Sequence, residues 1–190
     1  MPTNPPRRTD AWDRRVVVHA NVDHPIDVVF AYLADPMRWH EFAPAVAFRR
    51  PIDEGPIRVG SRWMSTDRIG PFRIHFVDEL AALEPNRRVV WLSSAPWNAR
   101  VEYRCIPHAT GTRVLATYEG NLSGSLRWQL GWVPSALMRL ILFQDFRRLD
   151  RLLSRRTAEH RRWRDRHPAP ASRFLDGLPS VDERTSAFGA

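Results

Sequence analysis

The chain has 190 residues, of which 43% are hydrophobic and 26% are charged; this composition suits one domain with a buried core and excludes disorder throughout. A single cysteine, Cys105, excludes an intrachain disulfide framework and a cysteine-rich zinc module. The net charge is +8 without any lysine, and residues 135–163 concentrate the excess, with eight arginines against three acidic residues.

The N-terminal part of the chain predicts a loose arm, one strand and two short helices. Proline is frequent in the arm, whereas apolar residues alternate along the strand. Pro25 suits the first position of a helix, with Asp23 or His24 as the expected cap. The predicted elements are a flexible arm at 1–11, a strand at 15–22, a helix that ends at Asp35-Pro36 and a second short helix at 37–42.

The middle of the chain predicts an antiparallel sheet, because short apolar stretches alternate with turn residues. Gly70-Pro71 lies between two strand patterns and indicates a tight hairpin. With the first strand, the sheet is expected to have seven strands. The other six are predicted at 46–51, 61–69, 71–83, 88–94, 99–107 and 112–123.

The C-terminal part predicts one long helix over 135–163, capped by Ser135. Its first half is apolar on most sides and is expected to be widely buried, whereas its second half keeps one apolar stripe among arginines. The pattern over 124–133 is ambiguous. Residues 164–190 are rich in proline, serine and charge, so we expect a disordered tail after a folded domain at 12–163.

Four segments of the chain resemble the START-like or SRPBCC superfamily, in its polyketide cyclase/dehydrase-like branch. They read HANVDHPIDVVFAYLADPMRWHEFAPAV at 19–46, GPIRVGSRW at 55–63, FVDELAALEPNRRVVW at 76–91 and GTRVLATYEG at 111–120. The resemblance implies an α+β helix-grip fold: a curved seven-stranded antiparallel sheet around a long C-terminal helix, with two short helices after the first strand. Members enclose an apolar cavity that binds lipids, sterols, polyketides or hormones, and some catalyse cyclisation, aromatisation or dehydration.

Strand alternation and helix spacing predict which side chains line such a cavity. The alternative is that the same aromatic residues pack on one another as a filled core. The predicted ligand-binding residues are Trp63, Phe72, Ile74, Phe76, Trp91, Tyr103, Tyr118, Met138, Leu142 and Phe146.

Few residues are candidates for chemistry. Asp67, Tyr103 and Tyr118 are the weak catalytic candidates, although Asp67 could equally face water or pair with Arg68 or Arg62. His75 alternates with phenylalanines and is expected to face solvent. His40-Glu41 lacks the second histidine of a zinc helix, so neither a metal nor a cofactor is predicted.

These observations favour the binding of a hydrophobic small molecule, with a cyclase, aromatase or dehydratase as the alternative; the sequence does not decide whether turnover occurs. A third hypothesis is docking on acidic surfaces, such as peripheral membrane contact through Arg147–Arg166, because leucines there face inward and arginines outward. Nucleic acid is a disfavoured partner, since only Trp163 offers the exposed aromatic residue that nucleic-acid modules usually interleave with the charge. The longest uncharged run of the most apolar region, Trp128–Met138, is too short for a membrane span, and no apolar leader is present. A cytoplasmic location is therefore expected, and the oligomeric state is open.

Overall fold

A computed structural model describes residues 14–121 and 135–166 of the chain. The predicted arm, the ambiguous segment 124–133 and most of the predicted tail lie outside these residues. The elements in chain order are β1 (Arg14–Val22), α1 (Ile26–Leu33), a 3-10 helix (Pro36–Glu41), β2 (Val46–Pro51), β3 (Arg62–Ile69), β4 (Phe72–Glu84), β5 (Arg88–Ser93), β6 (Ala99–His108), β7 (Gly111–Gly120) and α2 (Ser135–Arg166).

The strands form one antiparallel sheet in the order β1-β7-β6-β5-β4-β3-β2, so that the first two strands of the chain lie at opposite edges. The sheet is curved and open, as expected for a helix-grip fold. Irregular register between Val46 and Phe48 and between Leu80 and Ala82 bends β2 and β4, since a bulge increases local twist. The predicted β3–β4 hairpin is confirmed: Gly70, at φ 57°, provides the left-handed turn between Ile69 and Phe72.

The face of the sheet that packs against α2 is here called the inner face, and its opposite is the outer face. Alternate apolar residues of β1, β7, β6 and β5 form a core there with α1 and with Phe146, Leu149 and Leu153 of α2. The chain divides into two compact units after Ser154. The sheet, the short helices and α2 as far as Ser154 belong to the first unit, which contains every buried apolar residue of the described chain.

Two details of the helices differ from the sequence predictions. Pro25 itself is the N-cap of α1, without a capping side chain; Asp23 instead accepts a hydrogen bond from the Thr110 hydroxyl at 2.7 Å. The second helix is a 3-10 helix, whose cap, Asp35, accepts from the Met37 amide at 3.0 Å.

The wide burial predicted for the first half of α2, which is the apolar stretch Leu137–Phe143, is wrong. Leu137, Leu140, Ile141 and Phe143 are 40 to 51% exposed. Only Met138 and Leu142 of this half pack against the core, because the described sheet contacts one stripe of the helix and not its flanks.

Candidate functional site

Tryptophan side chains form the floor of the inner face. Trp91 is fully buried and contacts Trp63 and Trp39 edge-on, with ring centroids 5.2 and 5.1 Å away. Its indole Nε1 donates to the Leu33 carbonyl at 3.2 Å, which ties α1 to the sheet. Trp63 and Trp91, two of the predicted ligand-binding residues, therefore sit in a packed aromatic layer.

A pair of tyrosines occupies the inner face of β6 and β7. The hydroxyls of Tyr103 and Tyr118 are 2.8 Å apart, and the Tyr103 ring contacts Phe146 of α2 at 6.2 Å. Burial raises the pKa of both phenols, so they stay neutral. One hydroxyl proton is used within the pair, which leaves the second proton and the remaining lone pairs to meet a polar atom of a ligand.

The other predicted lining residues differ in burial. Ile74 and Phe76 are buried on the inner face of β4, where Phe76 contacts Trp97 at 6.3 Å. Phe72 begins the same strand and is 45% exposed, so it lies at the rim. From α2, Phe146 is buried, whereas the predicted residues Met138 and Leu142 are half-buried against the core.

A buried arginine is the main polar feature of the inner face. The Arg49 guanidinium donates to Asp67 Oδ1 at 2.8 Å and to the Thr66 carbonyl at 3.2 Å. Its Nε lies 3.4 Å from Asp78 Oδ2, an ion pair that lacks hydrogen-bond alignment. The guanidinium carbon is 5.2 Å from the Phe76 ring centroid, an arrangement that favours a cation.

Asp78 is the more enclosed of the two carboxylates. Its oxygens accept hydrogen bonds from Ser65 at 2.5 Å and from Ser93 at 2.6 Å. Burial raises the pKa of Asp78, although Arg49 and both serines oppose the rise. Because Asp78 is 1% exposed and is held by two serine hydroxyls, it is placed to position Arg49.

Asp67 is placed differently, with 17% of its side chain exposed. Burial raises the pKa of Asp67 to about 6, although Arg49 opposes the rise. Near neutral pH this carboxyl can therefore both accept and release a proton. It pairs with Arg49 from β2, and neither Arg62 nor Arg68, the partners considered from the sequence, forms this ion pair.

One indole donor packs on Arg49, and a second packs on Phe76, which itself contacts Arg49. The Trp39 ring is 5.6 Å from the guanidinium carbon, and Trp97 packs on Phe76. Within the described residues, neither Trp39 Nε1 nor Trp97 Nε1 has a hydrogen-bond partner, although both atoms are buried. A buried N–H donor without a partner destabilises the folded protein. A ligand oxygen that accepted from either indole would remove this cost.

The sequence patterns missed Arg49, Asp78 and Ser93. Asp78 could have been found, because it alternates with Ile74 and Phe76 and must share their face. Arg49 could not, because the register shift in β2 removes the strict alternation that assigns a face.

The remaining candidates lie apart from this cluster. His75 is exposed on the outer face, as predicted, and its Nδ1 is 2.9 Å from the Thr66 hydroxyl. Cys105 is buried, and burial raises the pKa of its thiol to about 12. Among the described residues, no three histidine, cysteine or acidic side chains are arranged to hold a metal ion.

The arginine-rich half of α2 has the two faces expected of it. Leu149 and Leu153 are buried and Leu152 packs against the core. The arginines around them are exposed, except that Arg148 is half-buried and pairs with Asp145 at 2.7 Å. Burial raises the pKa of Asp145 to about 6, against the effect of Arg148. Docking of Arg147–Arg166 on an acidic surface stays a prediction.

Two open grooves of about 570 Å³ each are lined by described residues. One lies between β1 and α2, with Phe143, Phe146, Arg147 and Arg151 in its wall. The other opens at the edge strand β2 and is lined partly by outer-face residues. Neither is lined by Asp67, Tyr103 or Tyr118.

The fold defines a helix-grip protein whose inner face combines aromatic walls with a few buried polar groups. The chain belongs to the family described as polyketide cyclase / dehydrase and lipid transport, whose profile matches residues 13–154. No curated protein sequence matches the chain. Within the described residues, no helix is both long and apolar enough to cross a membrane.

Solved structures share the fold at low sequence identity. The protein TTHA0849 from Thermus thermophilus has a TM-score of 0.61 and 15% identity, over 73% of this chain and 95% of that one. The Zhui aromatase/cyclase from Streptomyces sp. R1128 has a TM-score of 0.56 and 19% identity, over 76% and 95% of the two chains. The di-domain ARO/CYC StfQ from the steffimycin biosynthetic pathway has a TM-score of 0.58 and 14% identity, over 76% of this chain and 51% of that one.

Proposed function

We propose that the protein binds a hydrophobic small molecule that carries oxygen atoms, of lipid, sterol or polyketide type, between the inner face and α2. The observation that carries the proposal is the combination of an aromatic inner face with the Tyr103 and Tyr118 hydroxyls, which lie 2.8 Å apart on it. Apolar walls favour burial of the ligand at about 25 cal/mol per Å². The hydroxyls fix the orientation of its oxygen atoms.

The test is a thermal-shift screen of fatty acids, sterols and aromatic polyketides, followed by titration of the best ligand. Tyr103→Phe and Tyr118→Phe keep the ring and remove one hydroxyl, so each should weaken binding about 2- to 10-fold. Tyr32→Phe is the matched control: Tyr32 lies in α1 and packs on Phe42, so loss of its hydroxyl should leave the affinity unchanged. A screen in which no class of ligand raises the Tm contradicts the proposal.

A second candidate function is acid–base catalysis on the bound ligand, and the placement of Asp67 favours it. The ionised carboxylate would take a proton from a carbon next to a carbonyl and return it to a departing or carbonyl oxygen, so that the protein ends unchanged. Arg49 would stabilise the ionised carboxylate and Tyr103 would donate to the developing enolate oxygen.

Asp67→Asn separates catalysis from binding. If Asp67 transfers the proton, turnover of a polyketide-type substrate should fall at least 100-fold, while the affinity measured by titration should change less than threefold. Equal losses of affinity and turnover would leave binding as the function of the inner face.

A further inference from the structure

A separate cluster of cationic side chains lies on the outer face, where the groove of about 570 Å³ opens at β2. Arg68 of β3 and Arg73 of β4 line it, together with Thr66, His75 and Phe48. The groove also extends to Val46 at the start of β2. The site proposed above uses none of these side chains.

Arg68 and Arg73 are directly opposite each other in the β3–β4 ladder, next to the turn at Gly70. Side chains in such a pair lie on the same face about 5 Å apart, and like charges there destabilise the sheet. Within the described residues, neither arginine forms an ion pair with a carboxylate. The neighbouring carboxylate Asp67 points to the inner face, where Arg49 engages it.

The arginines of the same outer face on β5 and β6 provide the contrast. Arg88, Arg100 and Arg104 all pair with Glu102. Glu102 therefore neutralises this group of arginines, whereas no described carboxylate does the same for Arg68 and Arg73. Arg68 and Arg73 are uncompensated and directly opposite each other, an arrangement that costs stability and is typical of binding sites.

The other residues of the groove suit a ligand that has an anionic group attached to an apolar organic part. Thr66 Oγ1 is 2.9 Å from His75 Nδ1, and when the hydroxyl donates in this bond the Nε2 of His75 carries a proton. Phe48 is 49% exposed at the same groove and offers an aromatic surface. The backbone amide of Arg68 donates to the Ala45 carbonyl at 2.7 Å, which fixes the wall of the groove next to β2.

We infer that this outer-face groove binds a phosphate monoester whose organic part is aromatic or apolar. Two guanidiniums give charge-assisted hydrogen bonds to the phosphate oxygens, which suits a doubly charged anion. Phe48 and Val46 contact the organic part. The phosphate can belong to a soluble ester or to the headgroup of a phosphatidic acid, since both present the same dianion.

The experiment is a calorimetric titration with phenyl phosphate, inorganic phosphate and phenol, and with vesicles of phosphatidylcholine that contain or lack phosphatidic acid. Phenyl phosphate should bind more tightly than inorganic phosphate or phenol, and its Kd should increase as salt is added. Binding to phosphatidic acid vesicles without binding to phenyl phosphate assigns the site to lipid, and the reverse assigns it to a soluble ester.

The variants Arg68→Gln and Arg73→Gln test the site itself. Each should weaken binding at least about tenfold and, because it removes a like-charge pair, should raise the Tm by about 1–3 °C. Arg87→Gln, at an exposed position outside the groove, is the matched control and should change neither the affinity nor the Tm. No binding of either phosphate source, or equal binding by all variants, overturns the inference. The Tyr103→Phe titration is independent of this result, because Tyr103 faces the other side of the sheet.

Discussion

Asp67 makes the stability of the protein depend on pH in a direction opposite to that of most carboxylates. Burial raises its pKa to about 6 from 3.8, so the folded state holds the proton more tightly than the unfolded chain. The stabilising contribution is therefore fully present below pH 4 and is lost as the pH rises through 6. We expect the difference in free energy of unfolding between the native protein and Asp67→Asn to fall by about 2 kcal/mol between pH 4 and pH 7.5.

Urea unfolding of the native protein and of Asp67→Asn at several pH values measures this difference. The change of this difference with pH is the informative quantity. Loss of the bond to Arg49 also changes the free energy of unfolding of the variant, but by an amount that need not depend on pH. A difference that stays constant from pH 4 to pH 7.5 would show that the carboxyl ionises normally in the folded protein.

Glu102, on the outer face, makes the stability depend on pH in the direction opposite to that of Asp67. Burial acts to raise its pKa, but hydrogen bonds from Arg88, Arg104 and Arg100 outweigh burial and lower the pKa to about 2 from 4.5. Its contribution is present above pH 4.5 and is lost as the pH falls toward 2. Glu102→Gln should therefore lower the free energy of unfolding at pH 7 by about 1–2 kcal/mol after solvent screening.

Chemical denaturation at pH 7 and at pH 2.5 checks the effect of Glu102→Gln, which should shrink at the lower pH. Glu54→Gln, at an exposed loop position, makes the same change of charge and should cost less than about 0.5 kcal/mol. Equal effects of the two variants at pH 7 would mean that the three arginines add nothing beyond general charge balance.

The candidate site shows which residues a sequence pattern can place and which it cannot. Tyr103 and Tyr118 were predicted on one face from strand alternation, and the structure brings their hydroxyls together. The role of Arg49 depends on a register shift in β2 and on carboxylates from two other strands. Such a cluster forms only from long-range contacts, which local alternation does not encode.

At the scale of elements, the strands and their order in the chain were predictable, because turn residues separate them clearly. The predicted strand at 46–51 coincides with β2, and the predicted long helix begins at Ser135 as α2 does. Burial along α2 was not predictable from composition, because four apolar residues of its first half face away from the described sheet. The pattern of apolar residues identifies the helix, but the shape of the sheet decides which of them it covers.

Two leucines of α2 test this difference in burial. Leu149 is fully buried against the sheet, whereas Leu140 is 51% exposed. Leu149→Ala should lower the free energy of unfolding by about 2–5 kcal/mol, since it removes packed methyl groups and leaves a cavity. Leu140→Ala makes the same substitution on the same helix and should cost less than about 1 kcal/mol.

Denaturant unfolding of both variants gives the comparison directly. Comparable losses would indicate that the first half of α2 is covered to the same extent as the second. That outcome would restore the wide burial that the composition of the helix suggested.

At the scale of the whole molecule, the stabilising contacts of the described residues fall between β1 and the middle of α2. Every buried apolar residue of the described chain lies between Val16 and Leu153, and the family profile covers residues 13–154. The ion pairs of Glu102 and of Arg49 lie within the same limits. Cooperative folding should therefore need little beyond the predicted domain at 12–163.

A chain reduced to residues 12–163 tests this expectation. Its free energy of unfolding should agree with that of the full chain within about 0.5 kcal/mol, and the denaturant m-value should be nearly unchanged, because every buried apolar residue of the described chain is retained. Ligand-induced thermal shifts should also persist, since Tyr103, Tyr118 and Asp67 are all present. A lower m-value, or a loss of more than about 2 kcal/mol, would place part of the cooperative core in the removed segments and would move the domain boundary outward.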